Sequence, residues 1–215
     1  MGLGFALVIH LGTIYLLCLL ISNFTIDFSN KIKDKEKRER VRKFLKKAPF
    51  VGIYTLYFCG FVGSIIISAK TGVDIGIGEC WYIPISKQCS LSFIDSYDQG
   101  FIQCKRNMEI SQVSYLKKVG EKIYIKTLDS NYYVIDAKVD SLTKLSGAKD
   151  VENSNNYKSA SDYYDDLHWK LAGIPYIIDV IISVSMSVFF VFLVWRKCGL
   201  TKAGLFVFMC TLNTK

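Results

Sequence analysis

The sequence predicts an integral membrane protein: three α-helical transmembrane spans and an extracytoplasmic α+β domain containing a small antiparallel sheet. Three observations carry this expectation. Residues 3–21, 48–69 and 174–195 are apolar runs, each close to the ~20 residues a helix needs to cross the hydrocarbon core. The first is interrupted only by His10, the second has no charge, and the third has one, Asp179; buried helices of soluble domains show polar residues every few positions. Between the second and third runs, Ile123, Ile125 and Thr127 alternate with Tyr124, Lys126 and Leu128, the period of a strand.

The chain divides accordingly. A first transmembrane helix covers 3–24, a basic cytoplasmic helical loop 25–47, and a second transmembrane helix 48–69. The extracytoplasmic domain covers 70–173, a third transmembrane helix 174–195, and a basic then apolar cytoplasmic tail 196–215. No Lys or Arg precedes the first run, and "SNFTIDFSNK" after it is a poor cleavage context, so it is expected to stay as a span rather than leave as a signal peptide. The loop has helix formers throughout and neither Gly nor Pro; it is expected to extend the first helix and turn back before Pro49, which suits the first turn of the next.

In the outer domain, "TGVDIGIGECWYIPISKQC" reads as loop and short strands, "ISQVSYLK" as a strand, and "EKIYIKTLDSNYYVIDA" as a hairpin turning at "DSN". "DSLTKLSG" reads as one or two helical turns stopped by Gly147, and "KDVENSNNYKSAS" as a polar loop. "SDYYDDLHWKLAG" reads as a helix with Ser161 as N-cap and acids in its first turn. The apolar tail after Lys202 is too short to span; it either lies in the interface or begins a further span.

Charge supplies the expected orientation. Residues 31–47 carry ten Lys or Arg and three acids, and Arg196, Lys197 and Lys202 follow the third run. Residues 70–170 hold 13 Lys or Arg against 14 acids. The net +8 therefore sits on the segments expected inside, which implies a multi-pass inner (plasma) membrane protein with its N-terminus outside and its C-terminus cytoplasmic. The basicity is topological and points to no nucleic acid; anionic lipid headgroups are the expected partners of 31–47.

Of seven cysteines, Cys80, Cys89 and Cys104 fall in the segment expected outside, where oxidation is allowed. Three thiols permit one bridge, and Cys80–Cys89, enclosing the shortest loop, is expected ahead of Cys89–Cys104.

Ionisable groups within spans are costly and usually face a partner or cavity. His10 and Asp179 are expected at similar depths, roughly 10 and 8 Å below the outer boundary, which makes them a candidate intramembrane pair. Asp179, Ser183 and Ser187 recur at i+4 as a polar stripe, and Gly60, Gly63 and Ser64 give the second span a small-residue face for helix packing. In the outer domain Tyr163, Tyr164, Asp165, Asp166 and Trp169 form the candidate partner-binding face. The Asp and His of "DYYDDLHW" could ligate a metal, but acids at a helix N-terminus are ordinary capping chemistry, so neither metal nor cofactor is expected.

The chain has no GxSxG, no HExxH, and no GxGxxG or GxxxxGK[ST] spacing. The expectation is thus a non-enzymatic protein that binds a protein partner at the outer face of the membrane, of the inhibitor or immunity type. A sensor, or an accessory subunit of a transporter or signalling complex, is the alternative.

Overall fold

The computed structural model describes residues 3–75, 80–94, 99–104, 108–136, 138–139, 141–145 and 157–200. These form two compact units: a sheet unit, Ile65–Tyr176, and a helical unit made of Gly4–Ser64 and the chain from Ile177 onward. Most of the polar loop expected around 149–156, and the apolar tail after Leu200, lie outside the described residues.

In the helical unit, α1 covers Leu3–Ser29, α2 Lys35–Thr71 and α4 Ile174–Lys197, the last following α3 (Ala160–His168) and a π-helical turn at Trp169–Gly173. Three helical runs, Gly4–Asp27, Lys35–Thr71 and Ala160–Lys197, are long and apolar enough to cross a membrane. Their apolar side chains point outward: Val8, Leu20 and Phe24 on α1 and Val188 on α4 are all largely exposed, the reverse of a water-soluble bundle.

The basic segment does not extend α1. The chain turns at residues 30–34, where Asp34 accepts hydrogen bonds from the backbone N–H groups of Glu36 and Lys37 and so caps α2. From there one 37-residue helix runs through Pro49 into the apolar stretch. Pro49 has no N–H, so the carbonyl of Leu45 lacks its helical donor. Ser22 of α1 supplies one: its hydroxyl lies 3.3 Å from the carbonyls of both Leu45 and Lys46. A buried serine thus offsets what the proline removes, and the helix continues where the sequence suggested it would start.

The sheet unit is built on an eight-stranded antiparallel sheet, large rather than small. Its strands are β1 Cys80–Pro84, β2 Cys89–Ile94, β3 Gly100–Cys104, β4 Met108–Val119, β5 Lys122–Thr127, β6 Tyr132–Asp136, β7 Ser141–Leu145 and β8 Lys158–Ser159. The first seven follow one another as a meander, and β8 pairs with β4 at Tyr115 and Leu116, on the edge of β4 opposite β5. The expected hairpin is β5–β6, closed by a turn in which the Ser130 N–H donates to the Thr127 carbonyl at 3.0 Å, with Ser130 left-handed (φ 56°). The expected helical turns at "DSLTKLSG" are instead strand β7. Asp136 accepts hydrogen bonds from the backbone of Lys138 and Val139, reversing the chain just after β6, and cross-strand pairing with β6 then overrides local propensity.

Strand β4 carries two bulges. Its register shifts against β3 between Gly100 and Ile102, and against β5 between Val113 and Tyr115, with Gln112 left-handed (φ 56°). Ile110, Val113 and Leu116 consequently all face the core, at a spacing of three. That core is formed by Ile83, Leu91, Phe93, Ile102, Ile123, Ile125 and Ile135, with Ala160 and Tyr164 of α3 packed onto it. Ser159, not Ser161, caps α3, accepting from the backbone N–H of Asp162 at 3.0 Å.

Candidate functional site

Side chains alternate across a strand, so burying Ile123, Ile125, Leu116 and Ile135 on one face places Tyr124, Lys126, Lys117 and Val134 on the other. The register then aligns them in rows. Tyr115 lies opposite Lys126, and Lys126 opposite Tyr132; Lys117 lies opposite Tyr124, and Tyr124 opposite Val134. The Lys126 ammonium stands 5.9 Å from the ring centroids of both Tyr115 and Tyr132, within the range of a cation–π contact. Tyr115 is 45% exposed.

A fourth tyrosine joins from the residue before β8. Tyr157 precedes Lys158, which pairs with Leu116. Burial first, and then the neighbouring Tyr132 and Tyr124 phenols, push the Tyr157 phenol up. Its hydroxyl is buried with no hydrogen-bond partner among the described residues. Four tyrosines and two lysines, from β4, β5, β6 and the residue preceding β8, therefore share one face. Chemically it offers flat apolar area, phenol donors and positive charge, with Asp136 of β6 at its margin. Such a surface is chemically suited to stacking and to accepting carboxylates.

The face expected from sequence around α3 is divided by the fold. Tyr164 is 4% exposed and belongs to the core, edge-on to Phe93 at 5.7 Å, so it is not available to a partner. The reason is helical period: Ala160 and Tyr164, at i and i+4, turn inward together. Tyr163 is half-buried against the same core. Asp165, Asp166 and Trp169 do remain exposed, with Asp166 in an ion pair with Lys158. Trp169 packs over Gly173, where a Cβ would come within 2.5 Å of its ring. Among the described residues no group of three or more His, Cys, Asp or Glu converges as a metal site would.

Beneath the sheet, Tyr164 donates a hydrogen bond to the carboxylate of buried Asp74 at 2.5 Å, and Tyr176 donates to the Asp74 carbonyl at 3.4 Å. His168 stacks on Tyr176 with 5.7 Å between ring centroids and lies the same distance from the Tyr164 ring. Asp74 follows α2 and Tyr176 lies in the first turn of α4, and Asp74, Tyr164 and Tyr176 all belong to the sheet unit. Nothing in the sequence marks Asp74 apart from other acids. Its burial is what singles it out.

The disulfide is Cys89–Cys104, not Cys80–Cys89. Antiparallel pairing of β2 and β3 sets Cys89 directly opposite Cys104, with Cα atoms 4.1 Å apart, whereas Cys80 lies opposite Ile94 and is an exposed free thiol. Loop length was the wrong criterion, because strand register decides which sulfurs meet.

Within the helical unit the contact made by the His10 ring is with Tyr57. His10 Nδ1 lies 3.3 Å from the hydroxyl of Tyr57, and no hydrogen bond or ion pair joins it to Asp179 among the described residues. The stripe on α4 instead meets the glycines of α2. A Cβ on Gly63 would fall 1.7 Å from an Asp179 carboxylate oxygen, and one on Gly60 would lie 3.8 Å from Ser183 Oγ. Ser187 donates to the Gly52 carbonyl at 2.8 Å. Close backbone approach with side chain-to-backbone bonding is ordinary packing for membrane helices. Ser64 is half-buried beside them.

No family model, no curated protein and no solved structure matches the chain.

Proposed function

We propose that the chain is a non-enzymatic, multi-pass inner-membrane protein whose sheet unit stands outside the cytoplasm and docks a protein partner. The observation that carries this reading is the face formed by Tyr115, Tyr124, Tyr132 and Tyr157 around Lys117 and Lys126. Tyrosine brings large contact area at low entropic cost, which is why it is enriched at interfaces. The lysines select a partner whose docking segment is acidic. Orientation follows from the basic residues of 31–47 and from Arg196 and Lys197, which favour the cytoplasmic side. An inhibitor or immunity protein, meeting its target at the outer surface of the membrane, is the role that fits a small binding domain tethered by spans on both sides.

A sensor or accessory subunit is the second reading. It is favoured by the cluster in which Phe93 contacts Tyr164, Tyr164 binds Asp74, and Tyr176 binds Asp74, a continuous link from sheet to the starts and ends of helices.

In-cell photo-crosslinking tests the docking face. A benzophenone amino acid placed at Tyr115 or Tyr132 is expected to yield one discrete protein adduct, and Lys126→Glu is expected to abolish it. The same probe at Lys87, exposed in the β1–β2 turn, is the control. Adducts of equal yield from all three positions, or none from the two tyrosines, would sink the proposal.

A further inference from the structure

A second surface lies in the helical unit, at the junction of the basic half of α2 with its apolar half. Val41 and Leu45 are buried there and, with Phe44, pack against Ile26, Ile32, Trp195, Cys198 and Leu200. Because that stripe faces inward, Arg42, Lys43, Lys46 and Lys47 are held outward and exposed. The last of them immediately precedes Ala48, where the uncharged run begins.

The end of α4 is brought to the same level. The Phe44 and Trp195 rings meet edge-on at 5.1 Å. Helix α4 closes with Gly199 left-handed (φ 68°), the Gly199 N–H bonded to the Arg196 carbonyl and the Leu200 N–H to the Trp195 carbonyl. This is the Schellman arrangement, and Leu200 completes it by packing into the same cluster as Trp195. Arg40 donates to the Gly199 carbonyl at 3.2 Å and pairs with Glu36, which fixes α2 against this cap. Arg196 and Lys197 are exposed in this last turn of α4, whose Trp195 and Gly199 are in contact with Phe44 and Arg40 of α2.

The spacing within α2 is costly by itself. Arg42 and Lys46, and Lys43 and Lys47, are like-charged pairs at i,i+4, which destabilise a helix in water. None of these six cations has a carboxylate partner among the described residues. The nearest acids in sequence are Glu39 and Glu36, both on the same helix on its N-terminal side. Beyond Glu39, α2 contains no acid, and α4 contains none after Asp179. Arg42 to Lys47 spans only about 8 Å of helix, so the whole array falls within the zone of lipid phosphates next to an apolar span.

From this geometry we infer that Arg42, Lys43, Lys46, Lys47, Arg196 and Lys197 form a binding collar for the headgroups of anionic phospholipid. The apolar spans beside it receive the acyl chains, and the headgroup phosphates relieve the repulsion between the paired cations. The inference rests on the membrane reading of the helices and is independent of what the sheet unit binds.

The test uses the full chain purified in a neutral detergent, with phosphatidylglycerol or phosphatidylcholine added to the micelles. Thermal stability and the number of lipids retained in native mass spectrometry are read together. Phosphatidylglycerol is expected to raise the melting temperature and to be retained, and phosphatidylcholine to do neither. The triple variant R42Q/K43Q/K46Q should weaken retention by about fivefold per cation removed. R196Q/K197Q should weaken it likewise. K33Q/K35Q/K37Q removes the same charge as the triple variant from the far turns of the basic segment and should leave retention near wild type. Equal loss in both triple variants would show diffuse electrostatics and overturn the collar. Equal stabilisation by phosphatidylcholine, or by inorganic phosphate alone, would overturn the lipid assignment. Failure of the purified chain to stay folded in detergent while remaining soluble without it would instead strike at the membrane reading.

Discussion

Replacing Cys104 by Ser should destabilise the sheet unit by about 3 kcal/mol, the amount that closing a loop of this length removes from the unfolded chain's entropy. The bridge joins Cys89 to Cys104, 15 residues apart, across the β2–β3 pair. Both cysteines are buried at 5% exposure within the main core, so the change also leaves a hydroxyl where sulfur packed against Leu91 and its neighbours. The consequence reaches beyond stability. A structural disulfide forms in oxidising compartments, so finding it in cells would support the proposed location of the sheet unit outside the cytoplasm. Peptide mapping without reduction should find Cys89 linked to Cys104 and Cys80 free to alkylate. A Cys80–Cys89 link would contradict the strand register, and three free thiols would contradict the compartment.

Phe93→Ala should cost about 4 kcal/mol, within the range for emptying an aromatic site in a packed core. Phe93 is fully buried, contacts the Tyr164 ring edge-on at 5.7 Å, and forms the bridge between β2 and α3. Its loss removes packing on both sides: from the sheet, and from the helix whose Tyr164 holds Asp74. Urea unfolding of the detergent-solubilised chain, followed through Trp81 that packs on this core, should show the transition shifted to lower denaturant. Phe93→Leu, which refills most of the volume, should recover much of the stability. If Phe93→Ala left the transition unmoved, the sheet and α3 would not form one cooperative unit.

How much of this was readable in the residues depends on whether a local rule or a partner element decided each feature. The three apolar runs were legible because length and absence of charge are properties of a single segment. The β5–β6 hairpin was legible for the same reason, through unbroken alternation from Ile123 to Thr127. Strand β4 hid its faces. Its bulges put Ile110, Val113 and Leu116 inward at a spacing of three, which imitates a helix more than a strand. Strand β7 was misread because "DSLTKL" gains its conformation from β6 rather than from its own sequence.

The site divides in the same way. Tyr115, Lys126 and Tyr132 come from three strands and Tyr157 from the position before a fourth, and only the register brings them together. The abundance of tyrosine between the second and third apolar runs was the one signal of them in the sequence, and it pointed to the domain without pointing to the face. Matching depth suggested that His10 and Asp179 would pair, but depth does not fix which helices touch. Asp179 faces Gly63 of α2, while His10 on α1 finds Tyr57. The i+4 stripe itself was legible, since Asp179, Ser183 and Ser187 lie on one helix.

The most direct test of the account is the side of the membrane on which each unit lies. With Cys80, Cys198 and Cys210 replaced by Ser, one further Cys is introduced at Asp129, in the exposed β5–β6 turn, or at Glu39, exposed on the basic half of α2. A membrane-impermeant maleimide applied to intact cells should label the Cys at position 129 at once, and the one at position 39 only after permeabilisation. Labelling of position 39 but not 129 in intact cells would put the sheet unit in the cytoplasm, and the docking of a partner at the outer surface would fall with it.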